Sequence, residues 1–451
     1  MIKVMKFGGT SVGSERALRN LVSVVKGDEA RKALVVSAMS GVTNSLIGLM
    51  KEEQGASDAF FDELLWKHTS AVRPMMGEDA LGDLEAKLKV RIAGLRQAVD
   101  RYQEPSARVI MHDAISSWGE RLSSLMIASL LKSDGVDSLA MTSEEAGIVA
   151  IGAPGNGTAD LEATSRNFKR SVVPQIEAGK TVVITGYYGC DSEGRPLTFG
   201  RGGSDYSGSV VAYSLNASTL EIWTDVNGFM TADPRVVPAA RTIREMDYGE
   251  AAELAFFGAK VLHPRTIEPA RKKRILVKVK NTFDPAAEGT SIRDSKKNGD
   301  RLLKSVAVKS DLAVVKVYSS EIVYNPGLVM HLLATVSENG SAAYAISTSL
   351  STLAFAVPSS SARSICERIR HSGEEVEKVT VKENVSLICA VGDDLINRTG
   401  ASAMVFHEAA EVEANIEMIS EGASDVALNF VVPSDKANDV VRRLHSKFIG
   451  A

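Results

Sequence analysis

Short apolar segments alternate with longer helix-like segments over roughly the first 300 residues of this 451-residue chain. The apolar segments lie at 2–7, 33–37, 181–185, 219–223 and 275–279. Their brevity and their flanking Gly, Ser and Asp residues favour buried β-strands over helices. The helix-like segments lie at 14–26, 57–102, 114–132 and 160–178. Strands that alternate with helices predict a mainly parallel α/β sheet with helices on both faces.

The pattern changes after a polar stretch at 294–301, DSKKNGDR, which is typical of a linker. Two similar units follow it, each with the order βαββα and a period of about 70 residues. The first has a strand at 313–318, a helix at 328–338, a strand pair within 343–357 and a helix at 362–372. The second has the corresponding elements at 386–391, 401–413, 416–432 and 436–448. This order predicts an internal duplication of a small ferredoxin-like unit.

Composition argues against several classes of protein. The chain has 52 basic and 56 acidic residues, a net charge of −4, and therefore no overall basic field for nucleic acid. Its three cysteines, Cys190, Cys366 and Cys389, are far apart and form no CxxC pair, which argues against a disulfide framework or a zinc site. No apolar run approaches the about 18 residues of a membrane span, and the N-terminus does not resemble a signal peptide. We expect a cytoplasmic enzyme with no membrane or nucleic-acid partner and no protein-built metal site.

Glycine-rich motifs follow the predicted strands. In the first, KFGGTSVG at 6–13, a strand delivers a lysine, two glycines allow close backbone approach, and hydroxyl residues precede a helix. Backbone N–H groups at a helix N-terminus suit phosphate, and lysine adds a point charge. The motif is not a P-loop, because its lysine precedes the glycines. A tight strand-to-helix turn with a solvated lysine is the alternative.

Further motifs follow other strands. In SAMSGVTN at 37–44, the hydroxyl residues could contact a substrate or simply cap the next helix, and capping is favoured locally. In GRGGSD at 200–205, the arginine could bind a carboxylate in a forked geometry, and the aspartate could orient lysines or cap a helix. WTDVNG at 223–228 and FGAKVLHP at 257–264 complete the set. The lone His263 in the last motif is interpreted as structural.

Together these segments resemble the aspartate kinases. KFGGTSVGS, VVSAMSGVTN, GERLS, GRGGSDYS, EIWTDVNGFMTADPR and FGAKVLHPRTIEPA occur in the order and approximate spacing of that family. The resemblance covers nearly the whole chain. It implies an α/β fold: an amino-acid kinase (carbamate-kinase-like) αβα sandwich with a mainly parallel sheet over residues 1–300, followed by two ferredoxin-like βαββα ACT units. The first ACT domain would span 312–383, and the second would combine 303–310 with 384–451 around it.

The resemblance also implies residue roles. Lys6 and Lys260 would balance charge on the transferring phosphoryl group, and Asp205 would hold those lysines. Arg201 would bind the α-carboxylate of aspartate and Glu120 its α-ammonium. The remaining aspartate-pocket residues would be Ser37, Thr43, Gly202, Gly203 and Ser204. The nucleotide would contact Lys6, Gly8, Gly9, Thr224, Asp225, Met230, Arg235, Lys260 and Val261. Met230 is a departure, since the family carries an aromatic residue there.

The implied reaction converts ATP and L-aspartate into ADP and 4-phospho-L-aspartate, at the branch point toward lysine, threonine and methionine. Mg²⁺ would accompany the ATP phosphates and needs few protein ligands. No general base is required, because a carboxylate with a pKa of about 3.9 is already ionised near neutral pH. Two alternatives remain: a kinase for another acidic amino acid, and an inactive amino-acid-sensing regulator. Pairing of ACT units predicts a homodimer or larger homo-oligomer.

The first ACT unit departs from the lysine-sensitive members of the family. Those members carry a histidine, an aspartate and a glutamate at the positions of Tyr324, Tyr344 and Leu350. Burying a lysine ammonium without an acidic partner would cost several kcal/mol. The neutral groups that remain are Asn325, Gly327, Ser347 and Thr348. They predict threonine rather than lysine as the effector, unless this unit serves only to dimerise.

Overall fold

The computed structural model describes residues 1–51, 57–258, 261–294, 301–372 and 375–450, which form two compact units. The first unit comprises Met1–Phe229, Arg244–Tyr248 and Val261–Asp294. The second comprises Met230–Ile243, Gly249–Lys260 and Ser295–Ala451. Two segments that the sequence assigned to the catalytic domain therefore pack with the C-terminal region. The predicted linker at 294–301 falls mostly outside the described residues.

The first unit is built on an eight-stranded, mainly parallel sheet with the order β10-β12-β11-β9-β1-β2-β6-β3. Its strands and two further hairpins are β1 (Ile2–Phe7), β2 (Arg31–Val36), β3 (Ser138–Met141), β4 (Ala150–Ala153), β5 (Asn156–Ala159), β6 (Thr181–Thr185), β7 (Tyr188–Cys190), β8 (Pro196–Thr198), β9 (Thr219–Thr224), β10 (Glu245–Met246), β11 (Leu276–Asn281) and β12 (Thr290–Ile292). Only the β11–β12 pair of this sheet is antiparallel. The five predicted strands are confirmed to within two residues.

Helices connect these strands. They are α1 (Glu15–Gly27), α2 (Val42–Leu49), α3 (Asp58–Val72), α4 (Glu78–Tyr102), α5 (Arg108–Ser116), α6 (Trp118–Ser133), α7 (Ser143–Ala146), α8 (Leu161–Ser171), α9 (Val173–Glu177), α10 (Gly203–Ser214), α11 (Tyr248–Phe257) and α12 (Ile267–Lys272). The helix-like segment predicted at 114–132 comprises the last residues of α5 and most of α6, and the two helices are separated at Ser117. Most of α11 belongs to the second unit.

The register of the parallel strands brings their carboxyl ends to one edge of the sheet. Phe7 pairs with both Val36 and Trp223, and Val36 pairs with Thr185. The loops that follow β1, β2, β6 and β9 therefore lie side by side. This edge is where open α/β sheets bind their ligands.

Strand β1 presents different residues to its two faces, as the period of two in a strand requires. Met5 and Phe7 are fully buried in an apolar cluster with residues of α1, α3, α4 and α6. Lys6 faces α10 instead. A Cβ added to Gly208 of α10 would lie 3.0 Å from the Cβ of Lys6, so the glycine allows the helix to approach the strand.

The second unit contains a six-stranded antiparallel sheet with the order β14-β15-β13-β16-β18-β17. Its strands are β13 (Ser305–Tyr318), β14 (Ala345–Thr348), β15 (Thr352–Pro358), β16 (Lys378–Val391), β17 (Met418–Ser420) and β18 (Ala427–Pro433). Its helices are α13 (Pro326–Glu338), α14 (Ser359–Arg370), α15 (Ala401–Ala410) and α16 (Ser434–Leu444), which continues into a π-helical turn, His445–Ile449.

The two central strands, β13 and β16, run through both predicted repeats. Each is 14 residues long, and the register between them shifts on either side of Leu312. Asp311 and Asn384 adopt left-handed conformations, with φ of 61° and 57°, which Asp and Asn tolerate better than most residues. Both irregularities lie beside the bounds predicted for the two ACT domains, 303–310, 312–383 and 384–451, and that division stays a prediction. No helix in the described part of the chain could cross a membrane.

Candidate active site

An ion pair joins Lys6 of β1 to Asp205 in the first turn of α10. The Lys6 Nζ lies 2.5 Å from the Asp205 Oδ1, and the side chains are 8% and 16% exposed. The pair forms because Lys6 points toward α10, whose first residue, Gly203, follows the glycine-rich loop. A buried lysine held at the carboxyl end of the sheet can stabilise negative charge on a ligand.

The loop after β1 packs against the loop after β2. A Cβ at Gly9 would lie 2.9 Å from the carbonyl oxygen of Ala38, so this contact requires glycine. The Gly8 N–H donates to the Trp223 carbonyl at 3.1 Å and is already used within the protein. The Gly9 N–H makes no hydrogen bond to any residue that the structure describes. Of the two predicted phosphate donors, Gly9 is therefore the available one.

Glu120 is a buried carboxyl group with an unmet hydrogen-bonding oxygen. It lies in the first turn of α6 and is 3% exposed. The Ser204 hydroxyl donates to its Oε1 at 3.4 Å, whereas Oε2 has no hydrogen-bond partner within the described part of the chain. Burial raises the pKa of Glu120 to about 8. Such an orphaned acceptor is costly unless a ligand completes it.

Neighbouring residues fix the position of Glu120. A Cβ at Gly119 would lie 2.5 Å from the Cβ of Ala38, so α6 can approach the β2 loop only through this glycine. The Ser123 hydroxyl donates to the Ser37 carbonyl at 2.7 Å. Arg121 makes an ion pair with Glu144. These contacts fix the rotation of α6 and hold Glu120 beside Ser37 and Ser204.

The GRGGSD loop depends on two glycines with left-handed backbone, Gly200 and Gly202. A Cβ at Gly202 would lie 2.1 Å from the Cβ of His263. His263 thus packs under the loop, and burial lowers its pKa, in agreement with a structural role. Arg201, at the tip of the loop, is exposed and makes no ion pair to any described residue. It is free to bind an anion.

Tyr187 is a further residue of the candidate site, and the sequence motifs did not point to it. It follows β6 and has a φ of 78°, which is unusual for a bulky residue. A Cβ at Gly203 would lie 2.9 Å from its ring, so the two are in close contact. Burial, with the nearby Glu120 carboxyl, raises the pKa of Tyr187. Its position directly after a strand, beside other strand-end motifs, was the signal available.

The remaining predicted aspartate-site residues lie at the same edge of the sheet. Ser37 and Ser204 are half-buried; Ser204 donates to Glu120, and the Ser37 carbonyl accepts from Ser123. Thr43, in the first turn of α2, is also half-buried. Gly203 begins α10.

The predicted nucleotide-binding residues are divided between the two units. In the first unit, Thr224 ends β9 and donates to Asp225 at 3.2 Å, and Val261 is half-buried. In the second unit, Met230 accepts from the Thr242 hydroxyl, and the exposed Arg235 pairs with Asp233 at 2.6 Å. Lys260 lies outside the described residues. No group of three or more His, Cys, Asp or Glu side chains in the described ranges could hold a metal ion.

The predicted effector residues lie in the second unit. Asn325 caps α13, where its side chain accepts from the Leu328 N–H at 3.2 Å. Gly327 is exposed, and Ser347 and Thr348 lie on β14, an edge strand of the sheet. The ring of Tyr344 lies under the Lys309 ammonium, 4.1 Å from the ring centroid.

Comparison with known proteins identifies the class. The model of the amino acid kinase family matches residues 1–281, and an ACT domain model matches residues 388–448. The chain therefore belongs to the amino acid kinase family and carries a C-terminal ACT domain, which confirms the resemblance and the predicted fold class.

Within that family the full-length similarity is to aspartokinases. Lysine-sensitive aspartokinase 3 of Escherichia coli (strain K12) is 30% identical, over 99% of this chain and 98% of its own length. A bifunctional aspartokinase/homoserine dehydrogenase of Arabidopsis thaliana is 29% identical over 99% of this chain, but the chain spans only 51% of that protein. The crystal structure of E. coli aspartokinase III with aspartate and ADP superposes with a TM-score of 0.83, at 28% identity and 99% coverage of both chains.

Proposed function

We propose that this protein is an aspartate kinase, which transfers the γ-phosphate of ATP to the side-chain carboxylate of L-aspartate. The observation that carries the proposal is the Lys6–Asp205 ion pair beside Glu120, a buried carboxyl with an unmet acceptor. A lysine for a phosphoryl group and a carboxylate for an ammonium group are the two charges that this pair of substrates requires. The relatives named above support the choice of aspartate.

In the proposed mechanism, Glu120 accepts hydrogen bonds from the α-ammonium of aspartate and Arg201 donates to its α-carboxylate. Thr43 and Ser204 line the same pocket, together with Ser37, Gly202 and Gly203. One side-chain carboxylate oxygen attacks the γ-phosphorus as the bond to the β–γ bridging oxygen breaks, and ADP leaves. Lys6, oriented by Asp205, stabilises the charge on the moving phosphoryl group, with Lys260 in the same role.

ATP enters as its Mg²⁺ complex, so the metal arrives with the substrate. The Gly9 N–H is proposed to donate to a phosphate oxygen, while Gly8, which lacks a side chain, is proposed to let the phosphates approach the backbone closely. Thr224, Asp225, Met230, Arg235 and Val261 are proposed to contact the nucleotide. The product would enter the synthesis of lysine, threonine and methionine. Formation of homodimers through the ACT units and a cytoplasmic location stay predictions.

The test is to incubate purified protein with ATP, Mg²⁺ and L-aspartate and to trap the acyl phosphate with hydroxylamine. We expect hydroxamate with aspartate and none with glutamate. Hydroxamate with glutamate alone would instead indicate a kinase for another acidic amino acid. A protein that forms no hydroxamate with any acidic amino acid, yet binds a free amino acid, would be a catalytically inactive regulator.

Threonine is the proposed effector in preference to lysine, although the E. coli relative is named as lysine-sensitive. The aspartate of lysine-sensitive members is replaced by Tyr344, and the Lys309 ammonium covers its ring. A second ammonium group would be repelled there. Asn325, Gly327, Ser347 and Thr348 offer only neutral groups. Steady-state rates with millimolar lysine and threonine, added separately, test this: strong inhibition by lysine alone would contradict it.

A further inference from the structure

Two of the proposed nucleotide-binding residues lie on a segment that is built into the core of the second unit. Met230 and Arg235 belong to the segment 230–243. Within it, Ala232 and Val237 are 3% and 7% exposed, and they share an apolar cluster with Leu303, Val306, Leu444 and Ile449. The Ser305 hydroxyl also donates to the Met230 carbonyl at 2.9 Å.

The segment closes on itself around Thr231. The Thr231 N–H donates to the Arg241 carbonyl at 2.9 Å, and the Arg241 N–H donates to the Thr231 Oγ1 at 3.0 Å. The Thr231 hydroxyl oxygen therefore already accepts one hydrogen bond, from the Arg241 N–H. Its own proton remains available for another acceptor.

That acceptor is His445, in the C-terminal turn of the second unit. The Nε2 of His445 lies 2.9 Å from the Thr231 Oγ1, and the two residues are 3% and 5% exposed. Burial and the nearby Arg241 lower the pKa of His445, which favours a neutral ring that can accept at Nε2. The hydroxyl thus links the segment to the turn through a buried hydrogen bond.

Arginines make a second set of contacts at the same turn. Arg241 and Arg301 both donate to the Ile449 carbonyl, at 3.0 and 3.1 Å, and Arg442 donates to the Val236 carbonyl at 3.2 Å. The turn His445–Ile449 is π-helical, a rare conformation that occurs frequently at functional sites. The Ile449 carbonyl thus accepts a hydrogen bond from Arg241, a residue of the 230–243 segment itself.

We propose that the turn His445–Ile449 is a positioning element for nucleotide binding, acting through Thr231 on the segment that carries Met230 and Arg235. The inference rests on the proposed function, because it takes those two residues as ATP contacts. Loss of the Thr231–His445 hydrogen bond leaves a buried polar group unpaired and lets the segment shift. Glu120 and Arg201, the proposed aspartate ligands, belong to the other unit and keep their own contacts.

The test compares Thr231→Val and His445→Leu with wild-type protein. Each variant should raise the Kd for ADP, measured by titration calorimetry, and the KM for ATP by about three- to tenfold. The free energy that an unpaired buried polar group costs corresponds to a fold-change of about this size. The KM for aspartate should not change. The double variant should lose no more than Thr231→Val alone, because Thr231→Val already removes the bond that His445→Leu removes, together with the bond from the Arg241 N–H. Thr231→Ser and His445→Gln, which keep the bonding atoms, should restore affinity.

Ser386→Ala is the matched control. It removes a partly buried hydrogen bond of 2.9 Å to Ser434, at the opposite end of α16, and should lower Tm without changing ADP affinity. If Thr231→Val and His445→Leu likewise lower Tm but leave ADP affinity unchanged, the turn is only structural and the inference is overturned. If wild-type protein binds ADP but phosphorylates no aspartate, the proposed reaction fails while the positioning role stands. Wild-type protein that binds no ADP would overturn both.

Discussion

Two buried glutamates, one in each unit, have opposite surroundings. Glu120 in the first unit accepts a long hydrogen bond from Ser204, at 3.4 Å, and its Oε2 has no side-chain partner among the described residues. Glu250 in the second unit is 0% exposed, but the Lys304 ammonium lies 2.7 and 3.0 Å from its two oxygens. The same ammonium lies 2.6 Å from Asp393.

We interpret this difference as that between a structural charge, Glu250, and a carboxyl group proposed to bind a ligand, Glu120. In the second unit, the Lys304 ammonium pairs with Glu250 within the protein, as a buried charge in a stable interior requires. In the first unit a buried acid is left incomplete, which is tolerable only if a ligand completes it during function. Burial alone does not distinguish the two glutamates. Their partners do.

The largest expected effect is on Lys6. Lys6→Met should lower kcat by about 10²–10³-fold, because it removes a charge aimed at the transferring phosphoryl group. Lys3→Met is the matched control on the same strand, since Lys3 pairs with Asp28 and with Glu221 at 3.1 Å. It should lower stability and leave kcat nearly unchanged. If steady-state assays show equal losses of kcat for Lys6→Met and Lys3→Met, the proposed role of Lys6 in stabilising the phosphoryl group is wrong.

The two glutamates can be exchanged for glutamine in parallel. Glu120→Gln should raise the KM for aspartate by about ten- to a hundredfold, as expected for loss of a charged hydrogen bond. It should not lower the free energy of unfolding, because a neutral amide is easier to bury. Glu250→Gln should do the reverse, costing about 1–3 kcal/mol of stability in urea melts with little change in that KM. Equal destabilisation by both would abolish the distinction.

Arg201 tests the exposed side of the aspartate site. Arg201→Ala should raise the KM for aspartate about tenfold, because it removes a charged hydrogen bond whose strength is reduced by solvent exposure. The KM for ATP should stay the same. Arg195→Ala is the control, because that partly exposed arginine pairs with Asp191 in the β7–β8 turn. An Arg201 variant in which only the KM for ATP rises would show that the proposed division of the site is wrong.

The smallest expected effect is the release of a proton. The pKa of Glu120 is raised from 4.5 to about 8 in the folded protein, so between these values the folded state holds a proton that the unfolded state has lost. Stability should therefore fall as pH rises from 4.5 toward 8 and level off above it.

The ammonium group of a bound aspartate would lower the pKa of Glu120 and release up to one proton. Calorimetry in buffers of different ionisation enthalpy at pH 7 measures that number, which should be zero for Glu120→Gln.

Much of the site could be predicted because it lies at strand ends. Lys6, Ser37 and Thr224 end or follow strands that the sequence identifies, and parallel strands of equal register bring those ends together. The Lys6–Asp205 contact needs one further condition, that α10 approach β1 at Gly208. That condition depends on packing and is not visible in the motifs.

Other features depend on residues distant in sequence. The Gly8 amide is taken by Trp223, so a local motif overestimates the number of phosphate donors. The segment 230–243 packs with the second unit because its apolar residues are covered by side chains beyond residue 300. Hairpins β4–β5 and β7–β8 were missed since their strands are only three or four residues long. Tyr187 adopts a backbone conformation that favours glycine.

The continuous strands β13 and β16 have a consequence for the order of folding. The first repeat, 312–383, is contiguous and can form its sheet as soon as it is synthesised. The second repeat must pair the start of β13 with the end of β16, far away in sequence, and loop-closure entropy opposes that step. Once the first repeat has folded, Leu312 already lies opposite Val385, and pairs such as Lys309 with Leu387 follow within a few residues. The first repeat thus closes the loop that the second repeat needs, and we expect it to fold first.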